Sequence, residues 1–421
     1  MADQTKLMAM KFLSRMQTCL LHTNPKSQPK ATFQMIQYSL RHGISSLSSV
    51  GFAFYGSFLA CRGDIPAGYR YVKLAIKLAE NLNARDCMCD VLVVGSQVMG
   101  YVEPLQSVND IMVRSHEYGL IAGNSSNAML SLSLNTTCAF WSGKQLSLVK
   151  KTIGNMLRIM SSHSILVWIL QTLPLYRTVL AIVGNVEDVP TILGGRADIE
   201  TEKERKMYDT NLHLLKVAHF NKMYLSFIFR RYDELKQLAA AYDAIASLPF
   251  STILISHSMH VFYGGLINFW IARMTMDVTW FDRGEKAIQK MKAYAACSPW
   301  NFQNKLLLLQ AEQCFYLEDF DSAKGYYDAA ILSAKEHKFV HEEALACELA
   351  GYFLLESGEG SSARPYLLLA QQKYHEWGAD AKEEKLKAFI EEQFRDFGAT
   401  SEADNSPCIP VEQDVRKRRA S

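Results

Sequence analysis

The sequence predicts an all-α fold in which one helix-turn-helix unit is repeated along the chain. Two copies lie near the C-terminal end, and the second helix of each carries small and large apolar residues at matching offsets. The offsets are i, i+3, i+4, i+7 and i+11, which place all five residues on one helical face. In the first copy they are Ala323, Tyr326, Tyr327, Ala330 and Ala334, and 40 positions later they are Ala363, Tyr366, Leu367, Ala370 and Tyr374.

A third copy lies near the N-terminus, with a turn at Gly63-Asp64 and Pro66 early in the following helix. Units of about 34 to 45 residues with small residues at close-packing positions are typical of tetratricopeptide-like repeats. We therefore predict a right-handed superhelix of such repeats; the alternative is a set of unrelated amphipathic helices in an ordinary all-α domain. The matching residues of the third copy are Gly56, Gly68, Tyr71, Val72, Ala75 and Ala79.

The predicted domain organisation is one long solenoid followed by a short tail. The solenoid covers residues 1–398, and its clearest repeats are 47–82 and 301–377. A helix at about 380–397 is predicted to cap the stack, because the end of a solenoid needs a polar outer face. Residues 399–421 are small, polar and finally basic, so we expect a disordered tail. A nuclear signal and a kinase site at Ser421 are the alternatives.

The composition indicates a globular protein with a large core. Of the 421 residues, 49% are hydrophobic, which excludes wholesale disorder. The 45 basic and 43 acidic residues nearly cancel, so neither nucleic acid nor a membrane surface is expected as the main partner. The nine scattered cysteines favour reduced thiols and a cytoplasmic location. Cys87-x-Cys89 lacks the second pair that a zinc site needs.

Residues 164–184 form the most hydrophobic stretch and raise the alternative of a membrane-attached protein. The stretch contains Gln171, Pro174 and Arg177 near its centre. An arginine at the middle of a bilayer is costly, so we expect a helix or helix pair buried in the solenoid. The N-terminal residues show no hydrophobic region with a cleavage site, and we therefore predict no signal peptide.

Residues 184–204 form the clearest loop of the sequence. This segment contains Pro190 and Gly194-Gly195-Arg196, followed by a charged run. A glycine-rich loop can contact phosphate through backbone N–H groups. Because no GK[ST] follows these glycines, a plain turn is favoured.

We find no sequence motif for catalysis or for a cofactor. The chain lacks GxxxxGK[ST], GxSxG, HExxH and a glycine-rich kinase loop. His337 and His341 have a helical i, i+4 spacing, but they straddle a predicted junction between helices and lack a third ligand. Glu342 and Glu343 are expected to face a helix N-terminus. The prediction is therefore a protein that is not an enzyme, with no catalytic, cofactor or metal residues.

Several stretches resemble a known family of large signalling proteins. The most specific are HEEALACELA at 341–350 and HEWGADAK at 375–382, and SLRHGISSLSSVGFAFYGSFLACRGDIPAGYRYVKLAIKL at 39–78 supports them. They resemble the tetratricopeptide-like helical region of hybrid sensor histidine kinases and serine/threonine kinases that carry an AAA-type ATPase module. The resemblance implies a role in signal transduction, including two-component systems. The ATPase, sensor and kinase domains have no counterpart in these 421 residues, so no catalytic residue is transferred.

These observations predict a non-catalytic interaction scaffold or regulatory arm, in a fragment of a larger protein or in a chain of its own. The expected partner is a protein or peptide, in particular a signalling ATPase or kinase domain, bound in the concave groove of the superhelix. Candidate groove contacts are Tyr69, Arg70, Lys324 and Tyr374. The alternative is a ligand-sensing domain or enzyme subunit with a small-molecule pocket inside the superhelix, lined by tyrosines and by Trp168, Trp270 and Trp280.

Overall fold

The structure is a computed structural model, and it confirms the all-α repeat fold. It describes residues 3–162, 165–184, 189–193, 195–246 and 254–395. The predicted disordered tail at 399–421 lies outside these ranges. The described residues form a superhelix of stacked antiparallel helix pairs, in which each helix packs against its neighbours along the chain.

Nineteen α-helices occur in the described part of the chain, together with one short 3-10 helix at Pro25–Ser27 and two short strands. The helices are α1 Gln4–Thr23, α2 Gln28–His42, α3 Ser46–Cys61, α4 Ile65–Asn81, α5 Arg85–Met99, α6 Leu105–Ile121, α7 Ser125–Trp141, α8 Leu146–Ser162, α9 Leu166–Val183, α10 Glu202–Asp209, α11 Leu212–Ile228, α12 Tyr232–Ala246, α13 Ile255–Thr275, α14 Val278–Cys297, α15 Pro299–Tyr316, α16 Phe320–Glu336, α17 Val340–Glu356, α18 Gly360–Trp377 and α19 Asp380–Gln393. The strands are β1 Thr191–Ile192 and β2 Gly195–Arg196, which pair antiparallel within the predicted loop.

The small residues of the repeat pattern allow close contact within each helix pair. A Cβ atom added to Gly56 of α3 would lie 2.6 Å from the carbonyl oxygen of Gly68 in α4. In the pair α17–α18, a Cβ on Gly351 would lie 2.5 Å from the Leu367 side chain. Real Cβ atoms do not come this close to their neighbours, so α3 and α4 need glycine where they cross, and at Gly351 a larger residue would displace the Leu367 side chain.

Side-chain caps fix the starts of several outer helices. The Asp64 carboxylate accepts a hydrogen bond from the backbone N–H of Ala67 at 3.0 Å, and the Asp319 carboxylate accepts one from Ser322 at 3.2 Å. Asp64 and Asp319, in the turns of two repeats, are therefore N-caps, which satisfy N–H groups that have no partner inside the helix.

Helix α9 is a core helix that carries both a proline and an arginine. It is long and apolar enough to cross a membrane by length and composition alone, and 67% of it is buried inside the protein. Pro174 cannot donate a hydrogen bond to the carbonyl of Leu170, and the hydroxyl of Tyr208 donates to that carbonyl instead at 3.0 Å. The Arg177 guanidinium donates to the carbonyls of Ala197 and Ile199 at 3.0 and 2.8 Å. These contacts attach the hairpin segment and α10 to α9.

The second half of the superhelix lies against the first half, and three of the contacts join residues that are 196 to 198 positions apart. The backbone N–H of Leu105 donates to Asn301 Oδ1, 196 residues later, at 2.9 Å. A Cβ on Gly143 would lie 2.8 Å from Nδ1 of His341, 198 positions later, and a Cβ on Gly184 would lie 2.8 Å from Cβ of Ala381, 197 positions later. The second half of the superhelix therefore forms a second turn that packs on the first. We call the contacts of these three pairs the interturn seam.

Helix α19 lies at the sequence position predicted for a capping helix, but it packs between two parts of the superhelix. It contacts α9, in the middle of the chain, as well as its neighbour α18. Two of its lysines hold the end of α11, because Lys382 Nζ donates to the carbonyl of Ile228 at 2.7 Å and Lys385 Nζ donates to that of Phe229 at 2.5 Å. These ammonium groups satisfy carbonyls that a helix C-terminus leaves without partners. The helix thus joins the two turns.

Candidate functional site

The inside of the superhelix is filled by the chain itself. Over the inner-helix stretches 87–99, 127–141 and 341–354, every residue is buried or partly buried. The outer helices, by contrast, keep exposed faces. The predicted concave groove is therefore not a solvent-exposed surface along these three helices. The candidate site is the set of polar groups enclosed at the seam, together with the outer surface that remains accessible.

Aromatic side chains occupy the centre where the ligand-pocket alternative needs space. The ring of Trp141 lies 5.2 Å from that of Tyr224 and 5.4 Å from that of Tyr263, between centroids. Phe140 packs against Trp377 of α18 at 5.5 Å. Such edge-to-face and tilted contacts are typical of a packed core.

The three tryptophans named as pocket residues are buried in this packing. Trp168, Trp270 and Trp280 are between 3% and 8% exposed. The guanidinium of Arg230 stacks between the rings of Trp270 and Tyr352, at 4.6 and 3.8 Å from their centroids. These contacts favour core packing over a pocket for the tryptophans.

A buried polar cluster lies where α15 and α17 begin. Lys305 and Glu342 have side chains 0% and 1% exposed, and Lys305 Nζ lies 2.7 Å from Glu342 Oε2. The same ammonium group donates to the carbonyl of Asn301 at 2.7 Å, and the Asn304 amide donates to Glu342 Oε2. His341 lies beside this pair, and its Nε2 is 3.6 Å from Glu342 Oε1. The cluster touches the seam through both Asn301 and His341.

Burial shifts the ionisation of this cluster towards neutral forms. It lowers the pKa of His341 well below its usual value, and the nearby Lys305 charge lowers that pKa further. Burial also lowers the pKa of Lys305 and raises the pKa of Glu342, while the attraction between these two groups opposes both shifts. The neutral His341 ring makes no hydrogen bond to any described residue.

Two further glutamates on the inner helices are each held by a cation and a tyrosine. Glu312 accepts a hydrogen bond from the Tyr327 hydroxyl at 2.7 Å and pairs with Arg273. The oxygens of Glu348 accept hydrogen bonds from the Tyr374 hydroxyl at 2.7 Å and from Lys382 at 2.6 Å. Buried ion pairs are tolerated only when further hydrogen bonds complete them, which is the arrangement seen here.

Sequence analysis did not single out these buried charges. Their signal is a charged residue inside an otherwise apolar inner helix, as with Lys305 in NKLLLLQ and Glu348 in ALACELAG. Periodicity alone cannot name their partners, because Lys382 and Arg273 come from other helices. Glu342 and Glu343 do fall in the first turn of α17, as expected, and both are buried.

The candidate groove residues fall in two different environments. Tyr69 and Arg70 lie on the outer helix α4, where the Tyr69 hydroxyl donates to Glu103 at 2.6 Å and Arg70 is exposed. Lys324 lies on the outer helix α16 and pairs with Glu359 across the surface at 3.4 Å. Tyr374 is 1% exposed. Its assignment as an accessible contact is wrong, because the i+11 position of the repeat faces the inner helix and its hydroxyl is used by Glu348.

Cysteine chemistry is disfavoured by the surroundings of the buried thiols. Burial raises the pKa of Cys89 to about 11 and the pKa values of Cys87, Cys138 and Cys347 to about 12. A thiol is a nucleophile only as its thiolate, so these four residues are unreactive at neutral pH. They serve as small apolar side chains.

A histidine group in the middle of the chain makes stability depend on pH. Burial lowers the pKa of His260 to about 3 and lowers that of His257 well below its usual value, and His213 and Lys216 add repulsion to both. His260 Nδ1 lies 2.6 Å from the hydroxyl of Tyr242 on α12. Folding therefore favours the neutral imidazoles.

We predict that the free energy of unfolding is highest above pH 6.5 and falls as the pH drops below that value. Depressed histidine pKa values give stability above the unfolded-state pKa, near 6.5, and this stability is lost as protons bind to the unfolded chain. Urea unfolding at pH 7.5 and pH 5.5 measures the effect. A His260→Gln variant should show a smaller pH dependence, whereas His42→Gln, at an exposed position, should match the parent chain. Equal pH dependence in all three chains would show that His260 does not contribute to it.

One exposed group of side chains has the arrangement of metal ligands. Donor atoms of His375, Asp380 and Glu383 lie within 4.8 Å of one another at the turn between α18 and α19. Nδ1 of His375 is 2.9 Å from Oε2 of Glu383. His337 and His341 are not part of this group. His337 contacts Ser333 and the Trp300 ring, while His341 is enclosed at the seam.

Comparison with known proteins finds matches among solved structures and none in sequence. No family model matches this chain, and no curated protein matches it in sequence. Among solved structures, it is similar to the apo form of the quorum sensor NprR from B. thuringiensis, with 14% identity, a TM-score of 0.47, and coverage of 86% of this chain and 98% of that one. A circular tandem repeat protein shares 13% identity at a TM-score of 0.16, over 99% of both chains.

Proposed function

We propose that this chain is a non-catalytic scaffold or regulatory arm that binds protein partners on its outer surface and works in signal transduction in the cytoplasm. The observation that carries this proposal is the division of the superhelix into a self-filled interior and an exposed exterior. Because the inner-helix stretches 87–99, 127–141 and 341–354 contain no exposed residue, we expect a partner to use the outer helices and turns. Repeat superhelices offer extended surfaces of this kind for binding.

The outer surface has the apolar content that protein recognition needs. Large hydrophobic side chains stand exposed on several outer helices, and Leu120 and Ile121 at the end of α6 are 54% and 77% exposed. Leu74 on α4 is 47% exposed and shares that helix with Tyr69 and Arg70. Exposed apolar side chains beside aromatic and arginine residues are typical of binding surfaces.

The resemblance to ATPase-containing sensor kinases supports a signalling partner. Its most specific segments are 341–350 and 375–382. They contain the buried polar residues described above, namely His341, Glu342, Glu348 and Lys382. The likeness therefore includes residues that close the superhelix, beside exposed ones such as His375 and Asp380. We infer that the shared property is a rigid closed arm, to which an ATPase or kinase domain docks in the same polypeptide or in another one.

Direct binding tests this proposal. Purified AAA-type ATPase and histidine-kinase modules of the signalling proteins that the chain resembles are titrated into it by calorimetry. We expect a complex with a Kd of about 1–100 µM for at least one module, and a changed rate of ATP hydrolysis or autophosphorylation in that complex. The double substitution Tyr69→Ala with Arg70→Gln should weaken binding if α4 is the docking face. The substitution Lys324→Gln should weaken binding if α16 is the docking face.

A charge-removing substitution away from α4 and α16 serves as the control for these variants. Glu202→Gln, on the exposed surface of α10, also removes one charge and should leave binding unchanged. The proposal fails if neither module binds and a small molecule instead raises the melting temperature by several degrees. That result would favour the ligand-sensing alternative, because a ligand that binds only the folded state stabilises it.

A further inference from the structure

The turn between α18 and α19 gathers three metal-binding side chains from two helices. His375 lies in the last turn of α18, while Asp380 and Glu383 lie in the first turn of α19. Their donor atoms are all within 4.8 Å of one another. From this geometry we infer that His375, Asp380 and Glu383 form a site for a divalent transition-metal ion of the zinc type.

The donor set selects the class of ion. Imidazole nitrogen and carboxylate oxygen are both among the ligand atoms that zinc uses, and water can complete the tetrahedron when three protein groups bind it. Magnesium and calcium prefer sites made only of oxygen and need more ligands than this turn supplies. Imidazole suits zinc and related first-row ions, so these ions are expected to bind and magnesium is not.

Neighbouring contacts hold the three donors in position. Nε2 of Gln371 donates to Oε1 of Glu383 at 3.2 Å, which leaves Oε2 directed at His375. Hydrogen bonds of this kind orient carboxylate ligands in metal sites. The intervening turn is also fixed, because Trp377 is 1% exposed and its indole N–H donates to the carbonyl of Lys144 at 3.1 Å.

The site lies close to the interturn seam, so a bound ion would affect the packing there. A Cβ on Gly378, which has a left-handed φ of 81°, would lie 3.2 Å from the Gln145 amide in the turn between α7 and α8. The next segment, Ala381, meets Gly184 at the seam. An ion that joins α18 to α19 would therefore stabilise the contact between the two superhelical turns. It would do so without a chemical reaction.

Calorimetric titration of the chelator-treated full chain with zinc chloride tests the inference, with magnesium chloride as the comparison ion. We expect zinc to bind this site with one ion per chain, a rise in melting temperature, and no comparable magnesium binding. Single substitutions His375→Gln, Asp380→Asn and Glu383→Gln should each weaken that binding at least about tenfold. All three side chains are outside the core, so the variants should keep the parent circular dichroism spectrum.

Glu376→Gln is the matched control. Glu376 is next to His375 and pairs with Lys373 at 2.9 Å, so its loss removes a nearby negative charge but no donor of the site. Cobalt chloride adds a spectroscopic test, because a site of nitrogen and oxygen donors gives d–d absorption without the thiolate charge-transfer band of cysteine ligands. The inference is overturned if the three donor variants bind zinc like the parent chain. It is equally overturned if Glu376→Gln loses binding as they do, or if the cobalt spectrum shows only thiolate ligation.

Discussion

A Lys305→Met variant is expected to lose about 3–5 kcal/mol of unfolding free energy, one of the two largest effects that the structure predicts. The reason is that Glu342, with a side chain 1% exposed, would lose the charge that compensates it in the interior. An uncompensated buried charge is far more costly than the net value of the pair. Urea unfolding at neutral pH, followed by circular dichroism, measures the loss.

A second variant separates the missing partner from damage to packing. In Lys305→Met with Glu342→Leu, both members of the pair become apolar, and most of the lost stability should return. Lys324→Met is the surface control, because Lys324 and Glu359 are 45% and 50% exposed and such pairs contribute at most about 1 kcal/mol. Equal losses at Lys305 and Lys324 would show that the polar cluster is not enclosed.

A Gly143→Ala substitution is expected to lower the free energy of unfolding by more than Gly123→Ala does. The difference between the two losses reports the close contact at the interturn seam. Both glycines have left-handed backbone angles, with φ of 77° and 66°. An alanine in that conformation costs about 1–2 kcal/mol at either position. Only Gly143 has a neighbour in the way, since its added Cβ would lie 2.8 Å from Nδ1 of His341, whereas Gly123 has open space. We expect an extra loss of about 1–3 kcal/mol at Gly143 from overpacking.

A double variant that also changes His341 tests whether this extra loss of stability comes from the interturn seam. In the double variant Gly143→Ala with His341→Ala, the added methyl group no longer meets the imidazole. The effect of Gly143→Ala should then shrink towards that of Gly123→Ala. If the two glycine substitutions cost the same in the parent chain, the second superhelical turn does not press on the first at this point.

The local parts of the fold could be predicted from the sequence, because helical periodicity reports which face of a helix is buried. Ala323, Ala330, Ala363 and Ala370 are all buried at the helix contacts, as their offsets indicate. The acidic turn residue Asp319 is a helix cap. Both features depend on residues within one or two helical turns of each other, and a single sequence contains that information.

The seam and the buried charges could not be predicted in the same way. The contact between Gly143 and His341 spans 198 positions, and no local pattern encodes which segment lies opposite. Without that contact, an open groove was the natural expectation, and Tyr374 was wrongly placed on it. The same limit applies to Lys305 and Glu342, whose pairing depends on how α15 and α17 lie side by side.

A disulfide across the interturn seam tests whether the second superhelical turn lies on the first. Gly184→Cys and Ala381→Cys are introduced after Cys19, Cys61, Cys297, Cys314 and Cys408 are replaced by serine, and the protein is then oxidised. The Cβ positions of residues 184 and 381 are 2.8 Å apart, so a small backbone shift reaches the 3.5–4.5 Å spacing of a disulfide. We expect rapid cross-linking within one chain for this pair and none for Gly123→Cys with Ala381→Cys. No cross-link at 184 and 381, or equal cross-linking of both pairs, would contradict a superhelix whose second turn stacks on its first.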